Sequence, residues 1–116
     1  MKLSELNPWF LKIHHFVDSG GVECTEYQKT TIGDCDGIEF LCPKCFAANK
    51  GSVGTHAVIC WKPHVPQTVF PIPGRWNIEG TSIDDLSLKA GSSSVLITTG
   101  CRAHFHVKNG IIEGLT

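Results

Sequence analysis

The chain has 116 residues, and its 10 Lys and Arg residues nearly balance its 11 Asp and Glu residues. The net charge of −1 gives no long-range field that would attract nucleic acid or an anionic membrane, which excludes non-specific binding to either. The length fits one folding unit, and the low charged fraction argues against a disordered chain. The hydropathy shows neither a membrane-spanning run of roughly 20 residues nor the apolar core of a secretory signal, so we expect a cytoplasmic protein.

Residues 1–36 are predicted to form an N-terminal arm followed by an irregular segment. Asn7 and Pro8 are typical of a helix start, and the apolar residues that follow them have helical spacing. The same run is rich in aromatic and β-branched residues, so an arm packed on a sheet is the alternative to a short N-terminal helix. Between residues 18 and 36, Gly-Gly, Gly-Asp and Asp-Gly pairs indicate turns.

Residues 37–116 are predicted to form a mainly β domain, a small antiparallel sheet or sandwich-like structure that folds as one unit with the arm. Its apolar runs are short and are bounded by turn residues, as strands are. The predicted strands cover residues 37–41, 55–61, 76–78, 86–88 and 94–99, and the two runs on either side of Asn109-Gly110. Four prolines between residues 62 and 75 exclude a regular element there, and the Ser-rich residues 90–94 predict a turn.

A Cys-x2-Cys pair, Cys42 and Cys45, follows the first predicted strand of this domain, and a Cys-x2-His pair, Cys101 and His104, follows a later one. A two-residue spacer lets both side chains of a pair point at one centre, and two such pairs supply four ligands for a tetrahedral ion. We therefore predict a zinc knuckle with one zinc ion bound by these four residues. Zinc is favoured over an iron–sulfur cluster because one ligand is a histidine. Four protein ligands leave no position for water, so the predicted role of the ion is structural.

Other Cys and His residues provide alternatives at this site. His106 lies two residues beyond His104, on the same face of a strand, and competes with it for the fourth position. His56, at the start of a predicted strand, is a surface residue, a hydrogen-bond partner of a ligand, or a ligand. Cys60 is expected in the core, and whether Cys24 and Cys35 form a disulfide is left open.

The sequence lacks the motifs of common enzyme classes. It contains neither a Gly-x-Ser-x-Gly nor a His-Glu-x-x-His pattern. Asp84 and Asp85 form a carboxylate pair, but adjacent carboxylates in a loop usually face solvent and form turns. No catalytic residue is therefore predicted.

The cysteine motifs also carry a resemblance to a known family. The segments that carry it are Phe40-Leu41-Cys42-Pro43-Lys44-Cys45-Phe46, residues 54–61, Pro73-Gly74-Arg75-Trp76, Gly80-Thr81 with Asp84-Asp85-Leu86, and Thr99-Gly100-Cys101 with His104. Over residues 37–115 the chain resembles a family of small, uncharacterised phage and prophage proteins with a Cys-Pro-x-Cys and a later Cys-x2-His. The resemblance implies a phage or prophage origin and a metal site, and no established activity.

Three functions are compatible with these observations. The first is a zinc-stabilised, non-enzymatic β domain that binds other proteins or itself, in the host cytoplasm or as a component of the phage particle. The second is a small zinc-dependent hydrolase in which water replaces one ligand and His56, His106 or Asp84 acts as base or ligand. The third is an inhibitor of a host defence protein. Neither nucleic acid nor a membrane is an expected partner.

Overall fold

The computed structural model describes residues 1–91 and 94–116 of the chain; part of the turn predicted at residues 90–94 lies outside them. Nine strands and one short α-helix form the described fold. The strands are β1 (Trp9–Val17), β2 (Glu23–Thr30), β3 (Gly37–Leu41), β4 (Ala57–Trp61), β5 (Asn77–Glu79), β6 (Ser87–Lys89), β7 (Ser94–Leu96), β8 (His104–Lys108) and β9 (Ile111–Glu113). The helix is α1 (Pro43–Asn49), and single 3-10 turns cover Leu3–Leu6 and Ile83–Asp85. The predicted mainly β fold with antiparallel sheets is thus confirmed.

The first sheet has the strand order β2-β1-β3-β4 and includes residues that the sequence assigned to an arm and an irregular segment. The helix considered after Pro8 is not formed, because this run becomes β1. Asn7 does not start a helix; it ends the preceding 3-10 turn in the left-handed conformation, at φ 51°. Residues 23–30 are also regular, because they pair with β1 along its length to form a long hairpin.

Strand β3 connects the hairpin to the rest of the sheet and leads directly into α1. Its first residue, Gly37, faces Trp61 of β4 so closely that a Cβ atom would overlap the indole ring and the carbonyl of Cys60. A glycine is required there for the two strands to pair. Pro43 occupies the first helical position after β3, where its missing N–H costs no hydrogen bond.

The other two sheets are smaller: β5 pairs with β6, and β7, β8 and β9 form a three-stranded sheet. The predicted hairpin at Asn109-Gly110 joins β8 to β9, and both turn residues have positive φ, 50° and 73°. Two positive φ angles define the type I′ turn that this residue pair favours.

The main core lies between the first sheet and the β7-β8-β9 sheet. Phe40 of β3 and Phe105 of β8 are both fully buried and meet edge to face, with ring centroids 6.0 Å apart. A second, smaller apolar cluster surrounds Trp61 on the other side of the first sheet. The helices of the described residues lack the length and the apolar composition of a membrane-spanning segment.

Candidate metal site

Three separate turns of the chain bring four thiol and imidazole side chains together. Cys42 lies at the N-cap of α1 and Cys45 one turn later, so both side chains project from the same side of the helix. His56 immediately precedes β4, and Cys101 lies in the turn between β7 and β8. One potential ligand atom from each residue lies within 4.8 Å of each of the others, which is close enough to bind one metal ion.

The interatomic distances match those of a tetrahedral ion. The Sγ atoms of Cys42 and Cys101 are 3.7 Å apart, and Nε2 of His56 is 3.4 Å from Sγ of Cys101. Zinc–sulfur bonds of about 2.3 Å and zinc–nitrogen bonds of about 2.0 Å at tetrahedral angles separate two sulfurs by about 3.8 Å and a sulfur from a nitrogen by about 3.5 Å. A disulfide would need a sulfur–sulfur distance of about 2.0 Å, so the thiols are not covalently joined.

The second ring nitrogen of His56 has a partner of its own. Nδ1 lies 3.3 Å from the carbonyl oxygen of Ala57. When Nδ1 carries the proton and donates it to this carbonyl, the lone pair of Nε2 faces the three thiols. A backbone carbonyl that fixes the tautomer in this way is a common feature of metal-binding histidines.

The ionisation of the three cysteines differs strongly. Burial raises the pKa of Cys42 to about 11, and burial is also the main reason that the pKa of Cys45 lies above its usual value. Burial acts in the same direction on Cys101, but hydrogen bonds from His56, the Ala103 amide and the other two thiols outweigh it and lower the pKa to about 7. Only one thiolate is therefore easily formed without a cation, whereas a bound metal ion would stabilise all three.

Three of the four predicted ligands come together in the structure, and the fourth position differs from the prediction. Cys42, Cys45 and Cys101 belong to the cluster, but it includes His56 and not His104. His104 belongs to β8, where its backbone exchanges two hydrogen bonds with Thr116 and its ring packs on that of His106, with centroids 6.0 Å apart. The Cys-x2-His spacing does not bring the histidine to the cluster because residue 102 adopts a left-handed conformation and β8 begins at His104.

The sequence contained one signal for His56. It was predicted to lie at the start of a strand and was one of the alternative ligands, and in the structure the Cys42 amide donates to the His56 carbonyl at 2.9 Å. This pairing places His56, just before β4, opposite Cys42, just after β3. Only the strand register, which the sequence does not specify, makes the two residues neighbours.

The remaining candidates lie outside the cluster. Cys60 is fully buried, and burial raises its pKa far above the usual value. The Cys35 thiol donates to the carbonyl of Ile32, and the Cys24 thiol lies 3.8 Å from a carboxylate oxygen of Asp18; neither forms a disulfide. Asp85 accepts hydrogen bonds from the residues that precede its 3-10 turn, which is the turn-forming role expected of this carboxylate pair.

Comparisons of this chain with protein-family models, with curated proteins and with solved structures found no match. The resemblance to small phage and prophage proteins therefore stays a prediction.

Proposed function

We propose that this protein is a small zinc-stabilised domain that binds other proteins and is not an enzyme. The observation that carries the proposal is the Cys42, Cys45, His56, Cys101 cluster, whose distances fit a tetrahedral ion. Three thiolates and one imidazole are typical ligands of structural zinc. The chemistry of these soft and borderline ligands favours zinc over magnesium or calcium, which prefer oxygen ligands.

The number of ligands supports a structural role over a catalytic one. Catalytic zinc usually has three protein ligands and a water molecule, whereas four protein side chains fill the tetrahedron. The cluster also joins parts of the chain that are distant in sequence: α1 and the start of β4, next to the first sheet, and the turn that precedes β8. A cross-link of this kind is what a domain of this size uses to supplement a small hydrophobic core.

Metal analysis and cobalt substitution test the proposal. We expect one zinc per chain, and replacement by cobalt should give the intense visible and near-ultraviolet bands of tetrahedral thiolate coordination. Azide and other small anions should leave this spectrum unchanged, because no coordination position is open. An anion-sensitive spectrum would favour the hydrolase, and absence of bound metal after purification without chelators would refute the zinc site.

The role in protein binding is supported by the surface. Several large apolar side chains are exposed, among them Phe70 (71% exposed) and Leu96 (60% exposed). Contiguous exposed apolar patches often mark sites of protein–protein interaction.

An origin in a phage is part of the proposal only through the resemblance of the cysteine motifs. If the protein is a virion component, mass spectrometry of purified particles should detect it at a fixed copy number. Detection only in infected cells would favour a free inhibitor of a host protein.

A further inference from the structure

A cavity of about 570 Å³ lies beside the metal cluster, between the first sheet and the β7-β8-β9 sheet. Its lining consists of residues 56–59, residues 71–74, Trp76 and residues 94–99, and we call it the edge groove. Residues 56–59 and 94–99 are consecutive, whereas a strand that presented one of its faces would contribute alternate residues. The edge groove is therefore bordered by the backbone edges of β4 and β7.

Strand β4 directs unpaired backbone groups into this groove. It is the last strand of its sheet and pairs only with β3. Two hydrogen bonds at the ends of the β3–β4 pair define its register. The Cys42 amide donates to the His56 carbonyl, and the Lys62 amide donates to the Asp36 carbonyl. In this register, the even-numbered residues of β4 bond to β3, and the odd-numbered residues Ala57 and Ile59 face outward. Among the residues that the structure describes, the N–H and C=O of Ile59 have no hydrogen-bond partner.

Strand β7 has the same arrangement. It is also an edge strand and pairs only with β8. The amide of Ile97 donates to the carbonyl of Ala103, so residues 95 and 97 face β8 while Ser94 and Leu96 face outward. Within the described parts of the chain, neither backbone group of Leu96 is bonded.

Trp76 shows that both edges face the same space. Its backbone amide donates to the outward carbonyl of Trp61 at the end of β4, at 2.9 Å. Its indole nitrogen donates to the outward carbonyl of Ser94 in β7, at 3.2 Å. Trp76 thus bonds to one strand edge through its backbone and to the other through its side chain, and it lines the edge groove between them.

The composition of the groove defines what fits it. None of its described lining residues is Asp, Glu, Lys or Arg, and Ile59, Ile72 and Leu96 contribute apolar surface. Proteins usually protect a free strand edge with charged residues. Strand β2, the other edge of the first sheet, carries Glu23, Glu26 and Lys29, but the described residues of the edge groove lack this protection.

We propose that the edge groove binds an extended, uncharged peptide segment of a partner protein, which adds a strand to β4 or β7. The unpaired N–H and C=O groups of Ile59 and Leu96 match an occupant with its own backbone donors and acceptors at strand spacing. The apolar lining selects apolar side chains at alternate positions of that segment. The inference rests on the proposed function, since it names the surface and the class of partner of the same protein-binding domain.

Selection from a random heptapeptide library displayed on phage, against the immobilised zinc-loaded protein, tests the proposal. We expect enriched sequences with alternating apolar residues and no charge. A synthetic enriched peptide should bind the Leu96→Pro or the Ile59→Pro variant about ten-fold more weakly than the wild type, the loss expected for one edge hydrogen bond and its unpaired partner. Proline removes only an outward N–H at either position, so the ladders to β8 and β3 are kept.

Matched variants separate the outcomes. Thr25→Pro, at an outward position of the β2 edge, should retain the binding. Leu96→Ala shortens an apolar side chain of the groove but keeps the backbone N–H, so it should bind the peptide more tightly than Leu96→Pro does. Scanning the peptide with N-methyl residues on wild-type protein provides a second test that needs no folded variant, and binding should fall at alternate positions.

The proposal would be overturned if no sequence were enriched, or if the peptide bound both the Leu96→Pro and the Ile59→Pro variant as tightly as the wild type. It would also be overturned if only Thr25→Pro weakened peptide binding. A dimer that Leu96→Pro or Ile59→Pro converts to a monomer in light scattering would make a second copy the occupant. Zinc content is measured on the same samples: a protein with zinc but no peptide binding refutes only the edge groove, whereas a protein without zinc refutes the proposed function.

Discussion

At the scale of single residues, the identity of the fourth ligand depends on which histidine reaches the thiols. Nε2 of His56 lies 3.4 Å from Sγ of Cys101, and its Nδ1 is oriented towards a carbonyl. His104 is three residues from Cys101 in sequence, yet it is not part of the cluster. The two histidines therefore form a matched pair for mutation.

We predict that His56→Ala weakens zinc binding at least about 100-fold, more than the 10–100-fold typical of changes to groups that only support a ligand. His104→Ala should leave the affinity unchanged. Competition with a chromophoric chelator measures both values. The reverse order of effects would show that His104 completes the site.

A second residue-scale feature is Asp36, whose carboxylate joins three parts of the chain. It accepts from the Ile13 amide at 2.7 Å and lies 2.8 Å from Nε2 of His64. Burial alone would raise its pKa, but these hydrogen bonds and the charge of Lys12 outweigh burial, so the pKa lies below its usual value. The ionised form is thus stabilised in the folded protein.

We predict that Asp36→Asn lowers the free energy of unfolding by about 1–2 kcal/mol at pH 7. A carboxylate with a lowered folded-state pKa stabilises the protein above the unfolded-state pKa of about 3.9, and loses this contribution as the pH falls through the folded-state value. The difference between variant and wild type should therefore shrink below about pH 4. Urea unfolding at several pH values measures it, with the exposed Asp34→Asn as control. A difference that is constant with pH would exclude this role.

At the scale of elements, the proline-rich segment between β4 and β5 has no regular structure but is tightly organised by one side chain. The guanidinium of Arg75 donates hydrogen bonds of 2.6–3.0 Å to the backbone carbonyls of Val65, Pro66, Val69, Pro71 and Gly74. Gly74 is needed beside it, because a Cβ atom would overlap the ring of Trp76. No sequence motif indicates this role of Arg75, because its five partners are backbone carbonyls brought together only by the fold.

We predict that Arg75→Lys destabilises the protein by at least about 2 kcal/mol, because a single ammonium group cannot reach five carbonyls arranged around a planar guanidinium. Thermal or urea unfolding measures the loss. Arg102, the other arginine of the chain, is exposed and provides the matched control Arg102→Lys. Equal stability of the two variants would mean that the segment is held by its other contacts.

At the scale of the whole molecule, the Cys/His cluster and the hydrophobic core both connect the first sheet to the β7-β8-β9 sheet. Cys42 is the N-cap of α1 and Cys45 lies in its first turn, next to β3 of the first sheet, and Cys101 precedes β8 of the other sheet. Phe40 and Phe105 pack between these sheets in the core. Without a bound ion, the core contacts would be the main connection between the two sheets.

We predict that Cys42→Ser abolishes stable folding, because structural zinc contributes on the order of 10 kcal/mol, comparable to the total stability of a small domain. Removal of zinc by a chelator should lower the unfolding temperature for the same reason. Circular dichroism melts with and without chelator measure both effects, and Cys24→Ser, outside the cluster, is the control. A soluble Cys42→Ser variant that unfolds cooperatively at the wild-type temperature would contradict a structural zinc.

The sequence alone determined the local features of this protein. Three features follow from the conformational preferences of neighbouring residues. They are strand β3, the irregular proline-rich segment after β4 and the Asn109-Gly110 turn. The cysteine spacing likewise identified three members of the metal cluster. These features were predictable because each depends on residues that are close in sequence.

Only the tertiary structure decided the features that depend on pairing between distant segments. The composition of the run after Pro8 left a helix and a sheet-packed arm both open, and the run becomes a strand because it pairs with β2 and β3. His56 displaces the expected His104 because the β3–β4 register sets it opposite Cys42. The edge groove also follows from register, since a one-residue shift would reverse which backbone groups of β4 and β7 face outward. Register is fixed by the packing of the complete chain, and no short stretch of sequence contains it.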